Sequence, residues 1–199
     1  TVSFQDVVEK AGRTLTYNNP EMVLENNYGT DYKLTDRDGD EVELPKNALM
    51  VFKHVLTTPR KDRDGDILRT KGAKPDPKMP LLWQHVHTLP IGKMLQVSEH
   101  SSKKLSVISA IIDINELAHD AAVMIDNKMG RFSHGFKAIS FTKFKESAGR
   151  PTGDEGFDVQ EFEIMEESLV SVPANVDAEV EEVMLGLVEG GKLTSGLMK

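Results

Sequence analysis

The side chains that could do chemistry in this chain are hydroxyls, carboxylates and imidazoles, because the sequence contains no cysteine. That absence excludes thiolate nucleophiles, disulfides, iron–sulfur ligation and every cysteine-based zinc motif. A nucleophile must then be Ser, Thr, Lys or a carboxylate, and the usual base for a hydroxyl is a histidine. The chain offers six histidines, which are His54, His85, His87, His100, His119 and His134.

One candidate nucleophile is Ser133, in the segment Arg-Phe-Ser-His-Gly-Phe at residues 131–136. On a strand, Ser133 and Gly135 face one way while His134 faces the other, because successive side chains alternate. His134 is therefore a poor base for Ser133 although the two are adjacent in sequence. The structural alternative is an ordinary serine on a strand that covers a Phe-lined core.

Two carboxylates, Glu166 and Glu167, lie in the apolar segment that ends at Pro173. Strand alternation groups Ile164, Glu166 and Ser168 on one face and puts Glu167 on the other, so a carboxylate lies among apolar neighbours in either case. A buried carboxylate needs a partner. A histidine would serve, as in a Ser-His-acid triad, but so would an Asn, an Arg or a backbone amide.

The remaining polar clusters are less typical of metal sites than of ordinary turns and separate histidines. His85 and His87 are spaced to share one side of a strand, but no H-E-x-x-H motif supplies further ligands. Asp-Arg-Asp-Gly-Asp occurs at 36–40 and 62–66, where Asp-Gly favours a tight turn. The twelfth residues of the corresponding calcium loops would be Asn47 and Ala73, which are not the required Glu. We therefore predict no metal and no cofactor.

Length and charge point to one soluble domain without a polyanionic partner. The 199 residues carry a net charge of −8 and are 39% hydrophobic, which is ordinary globular usage. Nucleic acid and membrane partners are not expected, since basic patches are missing and no apolar run reaches 18 residues. The first residues also lack the basic start and apolar run of a signal peptide.

The elements that must position these groups are mostly strands. Short apolar or alternating runs predict strands at 48–56, 91–97, 105–112 and 157–172, with one bent strand or a pair at 131–145. A helix is predicted from an Asp113 N-cap to Gly130, and a second over 176–189 after Asn175. The predicted fold is α+β, with a mainly antiparallel, β-barrel-like core and packed helices. Residues 1–46 are expected to be an appendage or edge hairpin, 47–189 the domain, 146–156 a loop, and 190–199 a flexible tail.

Five segments together resemble one known family. They are Thr-Pro-Arg-Lys-Asp-Arg-Asp-Gly-Asp at 58–66, Met-Pro-Leu-Leu-Trp-Gln-His at 79–85, Pro-Ile-Gly-Lys at 90–93, Phe-Ser-His-Gly-Phe at 132–136, and Glu-Glu-Ser-Leu-Val-Ser-Val-Pro-Ala-Asn at 166–175. In order and spacing they resemble the tailed-phage prohead maturation proteases. These are serine peptidases similar in fold to the herpesvirus assemblin proteases. The resemblance covers roughly residues 48–180.

The resemblance implies a role for each candidate residue. His85 would be the general base, Ser133 the nucleophile and Glu166 the third member of the triad. Glu167 stays open for that third place, because the family has an apolar residue there, and the herpesvirus relatives use a second histidine. His134 departs from the family, in which small or apolar residues are usual at this position.

The resemblance also implies a substrate and a place of action. We expect a serine endopeptidase that cleaves scaffold segments of the major capsid protein, and itself, inside the assembling procapsid in the host cytoplasm. Self-association into a homo-oligomer is also expected to be compatible with this role. If the protease cleaves itself, the ending at Lys199 would be an autolytic remnant. The alternatives are a non-catalytic capsid-assembly scaffold protein with the same fold and, more remotely, a metal-dependent hydrolase that uses His85 and His87.

Overall fold

The structure is a computed structural model that describes residues 34–35, 41–42, 44–45, 47–144, 156–185, 188–189 and 192–193. The described elements are mainly strands, with one α-helix and one short 3₁₀ turn at Thr70–Gly72. In chain order they are β1 (Leu34–Thr35), β2 (Glu41–Val42), β3 (Ala48–Thr57), β4 (Ile67–Leu68), β5 (Ala73–Pro75), β6 (Pro80–Trp83), β7 (Pro90–His100), β8 (Leu105–Ile112), α1 (Glu116–Asp126), β9 (Arg131–Lys143), β10 (Phe157–Val170), β11 (Val180–Leu185), β12 (Val188–Glu189) and β13 (Lys192–Leu193).

Strands β3, β8 and β7 form the middle of the main sheet. Their apolar sequences suit burial on both faces, and nine of the ten residues of β3 and seven of the eight in β8 are buried. β3 and β8 pair antiparallel, and β7 pairs antiparallel with the other edge of β8. The strands predicted in these three regions are confirmed.

Strand β10 carries the candidate acids and pairs on both of its edges. It runs antiparallel to β9 and parallel to the short strands β4, β5 and β6. The sheet order is β11-β3-β8-β7-β6-β10-β4, with β5 and β9 also paired to β10. In the described part of the chain β11 pairs with β3 but with neither β9 nor β4 at the other end, so the sheet is open and mixed. The expected closed, barrel-like core is therefore wrong, although the fold is mainly β.

Helix α1 packs its apolar face on the sheet. The buried residues of the helix recur at helical spacing and are Leu117, Ala118, Ala121, Ala122 and Ile125. The helix starts later than predicted, because Asn115 rather than Asp113 caps it, with the Asn115 Oδ1 accepting from the Ala118 N–H at 2.9 Å. Asp113 instead accepts from His119.

The second predicted helix, over 176–189, is wrong. Residues 180–185 form β11, which pairs antiparallel with β3. The buried β3 has an edge whose N–H and C=O groups need partners, and β11 supplies them, so tertiary pairing overrides the acidic helix-start pattern. Asn175, the predicted helix start, lies in a turn, where its Oδ1 accepts from the Asp177 N–H at 3.0 Å. The described residues thus contain one packed α-helix instead of the two that the sequence predicted.

The second Asp-Arg-Asp-Gly-Asp copy forms the predicted tight turn. Asp62 Oδ1 accepts from the backbone N–H groups of Asp64 and Asp66 at 3.0 and 2.8 Å, and Gly65 has φ 91°, a conformation that favours glycine. The first copy, at 36–40, lies outside the described residues. So do most of the N-terminal appendage, almost all of the 146–156 loop and most of the 190–199 tail, and the domain boundaries stay predictions.

Candidate active site

His85 lies in a turn directly after β6, and its backbone is in the left-handed region. Gln84 and His85 have φ values of 50° and 59°. For non-glycine residues this conformation costs on the order of 1–3 kcal/mol each and persists only where the surroundings hold it. The Gln84 N–H donates to the Leu169 carbonyl at 3.0 Å, and the His85 N–H donates to Ser168 Oγ at 3.2 Å. These two bonds to β10 fix the position of the imidazole.

Glu166 holds the ring of His85. Nδ1 of His85 lies 2.8 Å from Glu166 Oε1, and Ser168 Oγ donates to Glu166 Oε2 at 2.6 Å. A carboxylate can only accept, so Nδ1 of the ring carries a proton, and in the neutral ring Nε2 keeps its lone pair. The Glu166 side chain is only 7% exposed, whereas 42% of the His85 side chain is open to solvent.

Burial and hydrogen bonding act in opposite directions on Glu166. Burial raises the pKa of this carboxyl, but the hydrogen bonds from His85 and Ser168 lower it, as do the charge of His85 and a bond from the Gly135 backbone. The net result is a pKa below the ordinary value of a glutamate. Glu166 is therefore ionised at neutral pH and can stabilise a positive charge on His85.

A β-bulge in β10 decides which way Glu166 points. Ile164 pairs with Phe136 and Glu166 with Gly135, so Met165 is an extra residue on β10. Ile164 on one side of the bulge, and Leu169 on the other, both lie in the apolar core. The predicted alternation that placed Ile164 and Glu166 on one face is therefore wrong, because the extra residue shifts the pattern by one.

Ser133 lies on β9 directly opposite Ser168 of β10. Paired residues in an antiparallel ladder share a face, so Ser133 is on the face where Ser168 contacts His85 and Glu166. Two residues along, Gly135 is opposite Glu166, and a Cβ added there would lie 2.6 Å from Glu166 Oε1. The close approach of the carboxylate to β9 thus requires glycine at 135.

Ser133 and His85 line one cavity of about 430 Å³. Its wall also includes the turn at 62–66, the segment 172–175, and the side chains of Leu56, Leu68, His134 and Phe136. The turn and the segment 172–175 lie side by side in this wall, because the Arg63 N–H donates to the Ala174 carbonyl at 3.1 Å and its guanidinium donates to the Pro173 carbonyl. The candidate nucleophile and base therefore open onto a space that a peptide segment could enter.

His134 is a neutral member of this cavity. Burial lowers the pKa of His134 to about 4, although the nearby Glu166 charge acts in the opposite direction. Its Nε2 has no hydrogen-bond partner among the described residues. The ring lies near Phe136 and Phe162, at centroid separations of 5.7 and 6.2 Å.

The structure separates the other candidates from His85. Glu167 contacts His54 at 2.9 Å, so of the two adjacent glutamates it is Glu166 that meets His85. His54 was not singled out by any sequence pattern, since its partner is 113 residues away. His87 is exposed in the turn after β6, so the expected strand spacing of His85 and His87 is wrong. No group of three or more His, Asp or Glu side chains that could hold a metal ion occurs in the part of the chain that the structure describes.

A hydroxyl and a histidine that line one cavity, with a buried carboxylate bonded to the histidine, are the components of a serine hydrolase. The chain matches the family model of the caudovirus prohead serine proteases over residues 67–190, which is more than half of its length. It belongs to that family, and His85, Ser133 and Glu166 all lie within the matched segment.

A curated relative shows the same connection to phage capsids. Over 149 residues, 72% of this chain, the sequence is 29% identical to the capsid polyprotein of Pseudomonas phage PAJU2. The match covers 21% of that protein, so the chain spans about a fifth of the length of this relative. No solved structure matches the chain significantly, and the likeness to the herpesvirus proteases stays a prediction. No helix within the described ranges is long and apolar enough to cross a membrane.

Proposed function

We propose that this chain is a serine endopeptidase in which Ser133 is the nucleophile, His85 the general base and Glu166 the acid that orients the base. The observation that carries the proposal is the 2.8 Å contact between Glu166 Oε1 and His85 Nδ1, with Ser133 on the same face and in the same cavity. Membership of a serine protease family supports it.

The chemistry follows from the tautomer of His85. Nε2 accepts the Ser133 proton as Oγ attacks a scissile carbonyl, and the ionised Glu166 stabilises the imidazolium that results. The imidazolium then protonates the leaving amine, which leaves an acyl group on Ser133. Water attacks this ester with His85 again acting as base, and the serine is regenerated.

The proposed substrate is the scaffold segment of the major capsid protein, cleaved inside the assembling procapsid together with the protease itself. The printed name of the PAJU2 relative, a capsid polyprotein, supports a link between this domain and the capsid protein. The cavity beside Ser133 is bordered by the turn at 62–66 and by 172–175, and we propose that the peptide binds in this cavity, along the wall that these two segments form together.

The direct test is covalent labelling by diisopropyl fluorophosphate, which needs an activated serine but no peptide substrate. We expect mass spectrometry to place the label on Ser133, and Ser133→Ala to abolish it. Ser140→Ala, an exposed serine on the same strand, is the matched control and should leave labelling unchanged. Circular dichroism should show both variants folded. Labelling that persists in Ser133→Ala would remove the proposed nucleophile.

Co-expression with the capsid protein of the same phage tests the substrate. Ser133→Ala should abolish capsid protein cleavage on a gel, with a loss on the order of 10⁶-fold in kcat in such triads. If cleavage persists in Ser133→Ala, the non-catalytic assembly role is favoured. Activity should also survive a chelator, whereas a metal-dependent hydrolase would lose it.

A further inference from the structure

A second His–Glu pair lies on the opposite side of β10 from the first. His54 Nε2 is 2.9 Å from Glu167 Oε2, and Ser109 Oγ donates to the same oxygen at 2.9 Å. All three residues are fully buried, with no exposed surface. Because neither solvent nor substrate reaches this cluster, it cannot be a second hydrolytic site despite its Ser, His and Glu composition.

The buried cluster joins β10 to two strands, β3 and β8, that are not its neighbours in the sheet. His54 is on β3, Ser109 on β8 and Glu167 on β10, and β7 and β6 lie between β8 and β10 in the sheet order. Its hydrogen bonds therefore cross the interior of the curved sheet. Among the described residues no strand pairing closes the sheet, although the Phe132 N–H on β9 donates to the Ala178 carbonyl just before β11 at 3.0 Å. The cluster adds a second link, which limits how far β10 can shift relative to β3 and β8.

The same cluster touches the chain next to two members of the proposed triad. Glu167 follows Glu166 directly. The His54 ring stacks on Phe132, the residue before Ser133, with a centroid separation of 3.7 Å and an interplanar angle of 25°. The cluster thus contacts β9 and β10 from behind at the positions where their other faces carry Ser133 and Glu166.

Stability is a weak reason for a cluster of this kind. Burying ionisable groups carries a large desolvation cost, and buried ion pairs can often be replaced by apolar residues without loss of stability. Here Glu167 Oε1 also has no hydrogen-bond partner among the described residues, so the cost is not fully offset. Directional hydrogen bonds add what apolar contacts do not, namely a defined separation between the strands.

We propose that His54 and Glu167 are positioning residues, which hold the paired strands β9 and β10 in place against β3 and β8 and so keep Ser133 and Glu166 aligned with His85. The inference rests on the proposed serine peptidase function. A misplacement of about 1 Å can cost roughly 100-fold in rate. Loss of the cluster should therefore slow catalysis while the fold persists.

The main test replaces the whole cluster by apolar residues, in the variant His54→Leu, Ser109→Ala, Glu167→Met. We expect a folded protein whose rate of labelling by diisopropyl fluorophosphate is about 10- to 100-fold lower. With a peptide substrate, kcat should fall by a similar factor and KM should change little. A folded triple variant that is labelled at the wild-type rate would overturn the proposal.

Further variants keep the test decisive if the triple variant does not fold. Ser109→Ala removes one hydrogen bond to Glu167, and we expect labelling several-fold slower, whereas the wild-type rate would contradict the proposal. Glu167→Gln keeps the volume and hydrogen-bonding capacity and should label within about threefold of wild type. Val51→Ala, on β3 but in a separate apolar cluster, is the control for lost stability and should label normally.

The outcome also separates this inference from the proposed function. If the wild-type protein is not labelled at Ser133, the peptidase proposal itself fails. If the wild type is labelled and the cluster variants are labelled equally fast, only the positioning role is removed.

Discussion

Replacing Glu166 by glutamine tests the proposed triad at its least exposed member. The carboxylate accepts from three donors, which are the His85 ring, the Ser168 hydroxyl and the Gly135 backbone N–H. An amide has the same shape but one acceptor oxygen instead of two. If that oxygen serves Ser168 and Gly135, the amide N–H₂ faces His85, and the ring must accept at Nδ1 and carry its proton on Nε2. In that tautomer, Nε2 cannot take the Ser133 proton.

The expected loss in kcat for Glu166→Gln is about 10⁴-fold, the magnitude for the wrong tautomer in a Ser-His-acid triad. Exchanging charged for neutral hydrogen bonds should also cost roughly 1–3 kcal/mol in the free energy of unfolding. The assay is the rate of Ser133 labelling by diisopropyl fluorophosphate, with peptide hydrolysis as the second measurement and urea denaturation for stability.

Glu163→Gln is the matched control for this experiment, because Glu163 is an exposed glutamate on the same strand. It should label at the wild-type rate. A Glu166→Gln protein that is folded and labels within about threefold of wild type would refute the assigned role of Glu166. Lowering the pH tests the same group, because the pKa of Glu166 is lower in the folded protein than in the unfolded chain. Ionised Glu166 therefore stabilises the fold fully at pH values above the unfolded pKa. This contribution is lost as the pH falls through the folded pKa.

Two other predictions concern residues around the pair. Gly135→Ala should fold but lose about 10- to 100-fold in labelling rate, because the new Cβ would lie 2.6 Å from Glu166 Oε1 and displace the carboxylate; an unchanged rate would contradict this contact. His134 has a folded pKa of about 4, well below its unfolded value, so the unfolded state binds more protons between these values. Stability should therefore rise with pH from about 4 to 6.5, by up to about 3 kcal/mol. His134→Gln should flatten this rise in denaturation experiments, and an equally steep rise in the variant would exclude His134 as its source.

Local sequence patterns predicted the elements whose burial is nearly continuous. Strands β3 and β8 are apolar along almost their whole length, and such runs between turn residues leave few other structures open. The tight turn at 62–66 could also be predicted locally. Its hydrogen bonds to Asp62 and the positive φ of Gly65 all lie within five consecutive residues. The structure of residues 176–189 was predicted wrongly, because the acidic residues near 180 are typical of a helix start. Residues 180–185 form a strand instead, since they pair with the edge of β3.

The candidate site depended on family resemblance more than on local pattern. His85, Ser133 and Glu166 were selected because five segments resemble one family, whereas strand alternation alone left Glu166 and Glu167 open. The bulge at Met165 could not be read from alternation, since an inserted residue shows only in the register against β9. His54 had no signal at all, because its partners, Ser109 and Glu167, are 55 and 113 residues away.

The sequence by itself determined which functional groups are available: hydroxyls, imidazoles and carboxylates, without any thiol. It also determined that the strands with long apolar runs are buried in a core. Those are properties of residue type and short-range spacing, and they hold before any long-range contact forms. Only the tertiary structure decided which carboxylate meets which histidine. That choice depends on strand register and one bulge, and a shift of one residue moves every side chain to the other face of the sheet.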